Sequence, residues 1–307
     1  MKNNKQQMCL VCESKNINPF LTFYSQYISK LFKKIAICND CFHVQIYPLF
    51  NDVEYEKINN EFFGGKYMVA NQTNTKNNFD KINRIDYHLS PYLDKEMDVL
   101  DVGGGETWAL QFFLKKECSY NAIEMVPRLA KLIEEQGGNI IGESIYHDYS
   151  KYENSFDIII LRHVLEHLIY PKKALLQLKK LLSTNGVIYL VVPNGAEPTK
   201  NKGYNVKDIS KKGFRTSFLR PVHISYFSAE NIIKLANSIG LNAVKTDDPD
   251  ELVFILKHGK IKTIRNNSNN VVKKTYLNLA KKTFINDFLK ISKSIIKLFL
   301  KKILNKN

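Results

Sequence analysis

No run of roughly 18 or more apolar residues free of charge occurs in the chain, so no segment is expected to span a membrane. The basic N-terminus, Met1-Lys2-Asn3-Asn4-Lys5, lacks an apolar stretch behind it. That argues against a cleaved leader and places the protein in the cytoplasm. Acid is almost missing from residues 260–307, which hold 13 Lys and Arg against the single Asp287. That surplus of 12 leaves only +3 of the formal +15 for everything before it. A basic total would suggest a nucleic-acid binder. Its confinement to one segment leaves the rest nearly balanced and argues against nucleic acid as a partner. Cysteine is scarce: of five, Cys118 stands alone and four form two C-x-x-C pairs. In a reducing compartment such pairs are more often metal ligands than disulfides. Internal repeats are absent too. Hydrophobic residues, at 44%, are not scarce, and a sizeable core can form.

The chain divides by pattern into four parts. Residues 1–48 carry both cysteine pairs around an aromatic and β-branched stretch and read as a small β-rich unit. Residues 49–95 read as a connector with one or two helices, the second over about 78–92. Residues 96–258 alternate strands and helices. Strands are expected at 98–102, 120–124, 139–141, 156–161, 187–192, 242–246 and 251–257. Helices are expected at 108–116, 127–136, 171–182 and 228–239, the last with Ser228 as N-cap and Gly240 as C′ residue. This order predicts an α/β fold with a doubly wound, mostly parallel, seven-stranded Rossmann-like sheet. Residues 259–307 read as a basic amphipathic helix. Phe284, Phe288, Ile291, Ile295 and Leu298 share one face, and Lys290, Lys293, Lys297 and Lys301 fall on another.

Chemistry concentrates at Val99-Leu100-Asp101-Val102-Gly103-Gly104-Gly105, where an acid ends an apolar strand and glycines turn into a helix. Glycines let a backbone approach a bound cofactor where any side chain would collide. The next strand also ends in an acid, at Ala122-Ile123-Glu124-Met125, and an acid there can bind both ribose hydroxyls of a nucleoside. A dinucleotide site would need glycine at position 108, which is Trp108, and a second mononucleotide-binding half, which is missing. An adenosine-type ligand without pyrophosphate fits better. The plainer readings are a helix cap for Asp101 and a surface acid for Glu124.

The string Asp101-Val102-Gly103-Gly104-Gly105 resembles the first motif of class I S-adenosylmethionine-dependent methyltransferases. The string Phe156-Asp157 followed by His163-Val164-Leu165-Glu166-His167 resembles the fourth-strand segment F-D-x-x-x-x-x-H-V-L-E-H of one branch of them. Pro221-Val222-His223-Ile224-Ser225-Tyr226-Phe227-Ser228 is similar to the segment after their fifth strand. The N-terminal cysteines resemble the zinc-binding region that often precedes such domains, many of which serve sugar and surface-polysaccharide biosynthesis. The resemblance covers residues 9–257. It implies that Asp101 and Gly103, Gly104 and Gly105 line the methionine and ribose part of S-adenosylmethionine. It further implies that Glu124 binds the ribose hydroxyls and that Met125 lies against adenine. Glu143 and Asp148 both qualify for the adenine amine. Thr107 departs from the family by replacing a common glycine. No counterpart of the long C-terminal domain of sugar C-methyltransferases is seen, which argues against C-methylation.

A hydroxyl acceptor benefits from a base, and histidine suits neutral pH. His163, at the carboxyl end of the fourth strand, and His223, after the fifth, are both candidates. Either could equally be a structural histidine. Glu166 would orient His163 or cap the following helix, and His167 reads as structural. Cys9-x-x-Cys12 and Cys38-x-x-Cys41 can complete a four-thiolate shell for structural Zn²⁺ with no open position for catalysis. Their separation exceeds the common spacing of about 15–20 residues, and Glu13 and Phe42 stand where such knuckles often have glycine. An RNA- or DNA-modifying enzyme is disfavoured. No Asn/Asp-Pro-Pro-aromatic motif follows the fourth strand, and no Pro-Cys pair is present. A degenerate, non-catalytic binding module is the other alternative. The expected acceptor is a small or lipid-linked sugar. The tail would lie on an anionic membrane surface at the inner face or pack on its own domain or a partner.

Overall fold

The computed structural model describes residues 7–24, 32–63, 75–105, 107–195, 222–248 and 251–259, with positions 272, 275 and 276. The amphipathic tail expected beyond residue 259 lies outside these, apart from those three positions.

Two sheets organise the described residues. The large one contains β4 (Asp98–Val102), β5 (Ser119–Ile123), β6 (Asn139–Gly142), β7 (Phe156–Arg162), β8 (Leu182–Pro193), β10 (Leu241–Lys245) and β11 (Glu251–His258). Their spatial order is β10-β11-β8-β7-β4-β5-β6. The β4–β5, β4–β7, β5–β6 and β7–β8 pairs are parallel, and β11 runs antiparallel to both its neighbours. This is the expected mostly parallel, seven-stranded, Rossmann-like sheet. Successive strands step outward from β4 to β6 on one side and from β7 to β8 on the other. The switch point therefore lies between β4 and β7, and the crevice at their carboxyl ends is where such sheets bind ligands.

Alternation along the strands sorts the core. Leu100, Val102, Ile159, Leu161, Ile188 and Leu190 point to one face, beneath helices α5 (Pro171–Leu181) and α6 (Ala229–Asn237). Val99, Ile158, Ile160, Val187, Tyr189 and Val191 point to the other. Ile85 and Leu89 of α2 (Thr75–Leu89), Ala109, Leu110, Phe112 and Phe113 of α3 (Trp108–Lys115) and Ile133 of α4 (Pro127–Glu135) cover that face. Strands buried on both sides have to be apolar throughout, which is why 158–161 reads Ile-Ile-Ile-Leu.

Local differences from the sequence pattern have local causes. Helix α2 ends at Leu89, and residues 90–92 form a 3-10 turn around Pro91, which has no N–H to continue an α-helix. Strand β8 begins at Leu182, five residues early, and Asn185-Gly186 lies inside it rather than ending the preceding helix. A Cβ on Gly186 would come within 2.9 Å of the carbonyls of Phe156 and Asp157, so this glycine lets β8 lie close to the start of β7, where the pairing register shifts. Ser228 caps α6 in a reciprocal capping box with Asn231, as its position predicts. That helix closes at Ser238, so Gly240, at φ +74°, lies one residue beyond the expected C′ position.

The small sheet joins β1 (Ile17–Tyr24), β2 (Phe32–Cys38), β3 (Val44–Tyr47) and β9 (Ser225–Tyr226), all antiparallel. The β1–β2 hairpin lies between the cysteine pairs and accounts for their long separation. The fourth strand comes from the far end of the sequence. The Ile46 N–H donates to the Ile224 carbonyl, and the Ile224 N–H donates to the Glu166 carbonyl. Residues 222–226 thus form a strap between the N-terminal sheet and the loop after β7. Ile35, Ile37, Val44 and Ile46 bury against Val222, Ile224 and Ile58 of α1 (Asp52–Phe63).

Candidate active site

Three groups of side chains gather around the carboxyl edge of the large sheet or its supporting strap. The first is built around β4 and β5. Asp101 is buried and accepts a 2.6 Å hydrogen bond from the Tyr120 hydroxyl. It caps no helix: the N-cap of α3 is Thr107. Burial raises the Asp101 pKa to about 7; Tyr120 and Arg162 oppose that rise, and the nearby Glu124 charge adds to it. Gly103 adopts φ +77°, a conformation that suits glycine, and a Cβ there would come 2.7 Å from Val164 Cγ2. The turn it makes brings the Gly105 N–H to Glu124 Oε2 at 2.9 Å, while the Val126 N–H holds Oε1 at 2.8 Å. Glu124 is therefore no surface acid. It is buried, with a raised pKa caused by that burial, and both its oxygens are fixed by backbone. Met125 follows with 44% of its surface exposed.

Glu143 and Asp148 differ in commitment. The Asp148 carboxylate accepts from the Ser150 backbone and hydroxyl, closing its own turn. Glu143 is exposed and directly follows Gly142, whose carbonyl accepts the Glu124 N–H.

The second group sits across the switch point. His163 leaves β7 in a left-handed conformation, φ +53°. Its Nδ1 lies 3.3 Å from Glu166 Oε1 and its Nε2 lies 2.7 Å from Glu251 Oε1. Arg84 donates to Glu251 Oε2 at 3.0 Å, and Arg162 stands 3.7 Å from the same oxygen. Asp248 accepts the Glu251 N–H and lies 3.5 Å from Arg84. Burial disfavours a charged His163, but the hydrogen bonds to Glu166 and Glu251 outweigh it and raise the pKa. Burial would likewise raise Glu251, yet the His163 contact and the two guanidiniums bring it down to about 2. Glu166, 2% exposed, is also brought to about 2, against burial, by the charges of His167, His163 and His223. His223, buried on the strap, packs its ring against that of His167 at 4.9 Å. Both histidine candidates thus lie against Glu166, whose Oε1 contacts the His163 ring.

Sequence reading missed Glu251, Arg84, Arg162 and Asp248. The available signal was an acid heading an apolar strand at 251–256. In a wholly parallel sheet that acid would sit at the wrong end. Strand β11 runs backwards, pairing Glu251 with Pro193, and so delivers it to the carboxyl edge.

The third group is the cysteine cluster. The sulfurs of Cys9, Cys12, Cys38 and Cys41 lie within 4.8 Å of one another, with Cys9–Cys41 at 3.4 Å and Cys12–Cys38 at 3.5 Å. A tetrahedral zinc–thiolate shell has an edge of about 3.8 Å. The two loops repeat one geometry. Glu13 and Phe42 donate to the Cys9 and Cys38 carbonyls, and those cysteines donate to Ser14 and His43. Glu13 and Phe42 take φ +61° and +58°, the conformation for which glycine is common there. Asn231 ties the cluster to α6, donating to the Cys41 carbonyl at 2.9 Å.

Residues 72–246 match the model of a family described as a methyltransferase domain. Among solved structures, the chain is similar to a 1,6-didemethyltoxoflavin-N1-methyltransferase of Burkholderia thailandensis with bound 1,6-didemethyltoxoflavin and S-adenosylhomocysteine. That match has 17% identity and a TM-score of 0.51, covering 78% of this chain and 100% of that one. It is also similar to a candidate S-adenosyl-L-methionine-dependent methyltransferase of Methanococcus maripaludis (15% identity, TM-score 0.48, 65% of this chain and 95% of that one). A candidate sarcosine dimethylglycine methyltransferase of Galdieria sulphuraria matches at 19% identity and a TM-score of 0.42, over 54% of this chain; only 63% of that protein is spanned. No curated protein matches the sequence significantly.

Proposed function

The chain belongs to the methyltransferase domain family, and we propose that it transfers the methyl group of S-adenosylmethionine to a hydroxyl of a sugar or related surface-glycan precursor. The observation that carries the reading is the Glu124 carboxylate, buried and fixed at both oxygens by the glycine loop and the start of α4. A carboxylate so held keeps outward lone pairs for two ribose hydroxyls without having to reorganise. Met125 would pack on the adenine, and Glu143, rather than the self-capping Asp148, would meet its amine. Asp101 and residues 103–105 would take the methionine end, in a turn that the left-handed Gly103 makes against Val164.

S-adenosylmethionine supplies a methyl group already activated on a sulfonium. What remains for the protein is alignment and removal of the acceptor proton. Alignment can supply much of the barrier reduction. The acceptor side offers charged partners, Arg84, Arg162, Asp248 and Glu251, which suit a hydroxyl-rich molecule better than an apolar one. His163 is our candidate base. Glu166 holds its Nδ1, and an acceptor hydroxyl would replace Glu251 at Nε2. Loss of that carboxylate contact favours the neutral ring, which can then take a proton. Such a base contributes about 10²–10⁴ in rate. The four cysteines would hold a structural Zn²⁺ that supports the strap carrying His223. The basic segment 260–307 would contact an anionic membrane surface, a role that unchanged liposome sedimentation after its deletion would remove.

Transfer of labelled methyl from S-adenosylmethionine to a panel of nucleotide- and lipid-linked sugars tests the reading. His163→Gln should lower transfer at least a hundredfold while S-adenosylhomocysteine still binds. Transfer by that variant at the wild-type rate would remove His163 as base. Methylation confined to amine or carbon acceptors would overturn the hydroxyl assignment.

A further inference from the structure

Glu166, His167 and His223 form a cluster that the proposed transfer reaction does not use in full. One ligand atom from each lies within 4.8 Å of the others. Glu166 Oε1 takes the His163 contact, but Oε2 is buried with no hydrogen-bond partner among the described residues. A buried, ionised carboxylate oxygen is costly without a positive neighbour.

The His167 ring supplies the second clue. Its Nδ1 lies 2.8 Å from the Val222 carbonyl, which can only accept, so Nδ1 carries the hydrogen. In the neutral ring Nε2 then bears a lone pair, and it faces Glu166 Oε1 at 3.8 Å. A lone pair aimed at a carboxylate is repulsive unless positive charge lies between them. An imidazole whose other nitrogen donates to a backbone carbonyl is also the usual arrangement of a metal ligand. His223 closes the third side, buried on the strap and ring-to-ring with His167.

We propose that Glu166, His167 and His223 bind a divalent transition-metal cation, separate from the four-cysteine centre, with coordination positions left open toward the acceptor crevice. Two imidazoles and a carboxylate suit Zn²⁺, Mn²⁺, Co²⁺ or Fe²⁺. Metal–ligand bonds of about 2.0–2.2 Å put neighbouring ligand atoms roughly 3–3.5 Å apart, so the ligand atoms, now within 4.8 Å of one another with His167 Nε2 at 3.8 Å from Glu166 Oε1, have to close in around the ion. The open positions would take a hydroxyl of the acceptor and make its proton easier to remove. That last role rests on the proposed methyl transfer; metal binding itself does not.

The test uses the full chain carrying one equivalent of zinc, titrated with Co²⁺ and, separately, with Mn²⁺. We expect one further equivalent to bind at micromolar concentration. The bound cobalt should show d–d absorption without thiolate charge transfer. Affinity should fall at least tenfold in both His223→Gln and Glu166→Gln, each checked for an unchanged fold by thermal melting and for S-adenosylhomocysteine binding. Two variants keep the test open should one fail to fold. Absence of a further equivalent, or unchanged affinity in a folded variant, would overturn the proposal and leave a proton as the charge beside Glu166. S-adenosylhomocysteine binding without the metal would sink this inference alone. Metal binding without S-adenosylhomocysteine would sink the cofactor reading alone.

Discussion

The two halves of the carboxyl edge are built by different means. The proposed cofactor half is made largely of backbone: a left-handed glycine, two amides on Glu124, and two adjacent strands whose ends lie about twenty residues apart. The acceptor half is made of side chains from distant segments. Arg84 reaches Glu251 across 167 positions, and His163 reaches it across 88. Its His223 rides on a strap whose other edge is the cysteine-bearing sheet. Backbone sites follow from the fold and tolerate change elsewhere. A site of converging charges depends on every element that carries one of them. The cofactor half should therefore survive damage that abolishes the acceptor half.

Removing the proposed zinc should have the largest effect. In Cys38→Ser, or in chelator-treated protein, the four-cysteine loops lose their cross-link and β3 loses its register against β9. Structural zinc can contribute about 10–16 kcal/mol to small units. We expect transfer to fall by two orders of magnitude or more while S-adenosylhomocysteine affinity changes less than about threefold. Equal loss of both would break the comparison. Calorimetry beside a transfer assay decides it.

Next comes Gly103→Ala, which reverses the pattern. A left-handed alanine costs about 1–2 kcal/mol, and the contact with Val164 adds to it. Cofactor affinity should drop about tenfold or more, with a smaller loss of divalent-metal affinity at the proposed histidine cluster.

Arg84→Ala should do less. It removes a partly exposed guanidinium from Glu251, a change worth about 1 kcal/mol in melting experiments. Transfer should fall severalfold with cofactor affinity unchanged.

The last effect is read on stability rather than on transfer: a pH dependence within the proposed cofactor half. Burial holds the folded Asp101 pKa at about 7, above its ordinary value of 3.8. A raised carboxyl binds its proton more tightly when folded, so its contribution is fully present below about pH 4 and is lost as pH rises through 7. Asp101→Asn keeps an acceptor for Tyr120 and should flatten that decline. Melting temperatures between pH 5 and 8 measure the difference.

The same contrast governs how much was legible in the sequence. Asp101, the glycines and Glu124 mark themselves because strand-end acids in consecutive βα units are a local pattern. The cysteine pairs announce their cluster in the same way. The seven strands were legible as apolar runs, with the start of β8 misread because Gly186 lies inside the strand, close against the start of β7. Glu251 could not be found, since its position depends on the reversed direction of β11, which residue periodicity does not encode. Nor does any local signal say that Ser225 and Tyr226 complete the cysteine-bearing sheet. His167 reads as structural until the Val222 carbonyl fixes its tautomer.

The most direct test of the account is calorimetric titration of the zinc-loaded chain with S-adenosylhomocysteine, alongside Glu124→Ala. We predict micromolar binding that weakens at least tenfold in the variant, a loss of about 1.4 kcal/mol or more. No binding by the folded wild-type protein, or equal binding by both, would contradict the assignment of the carboxyl edge as a cofactor site.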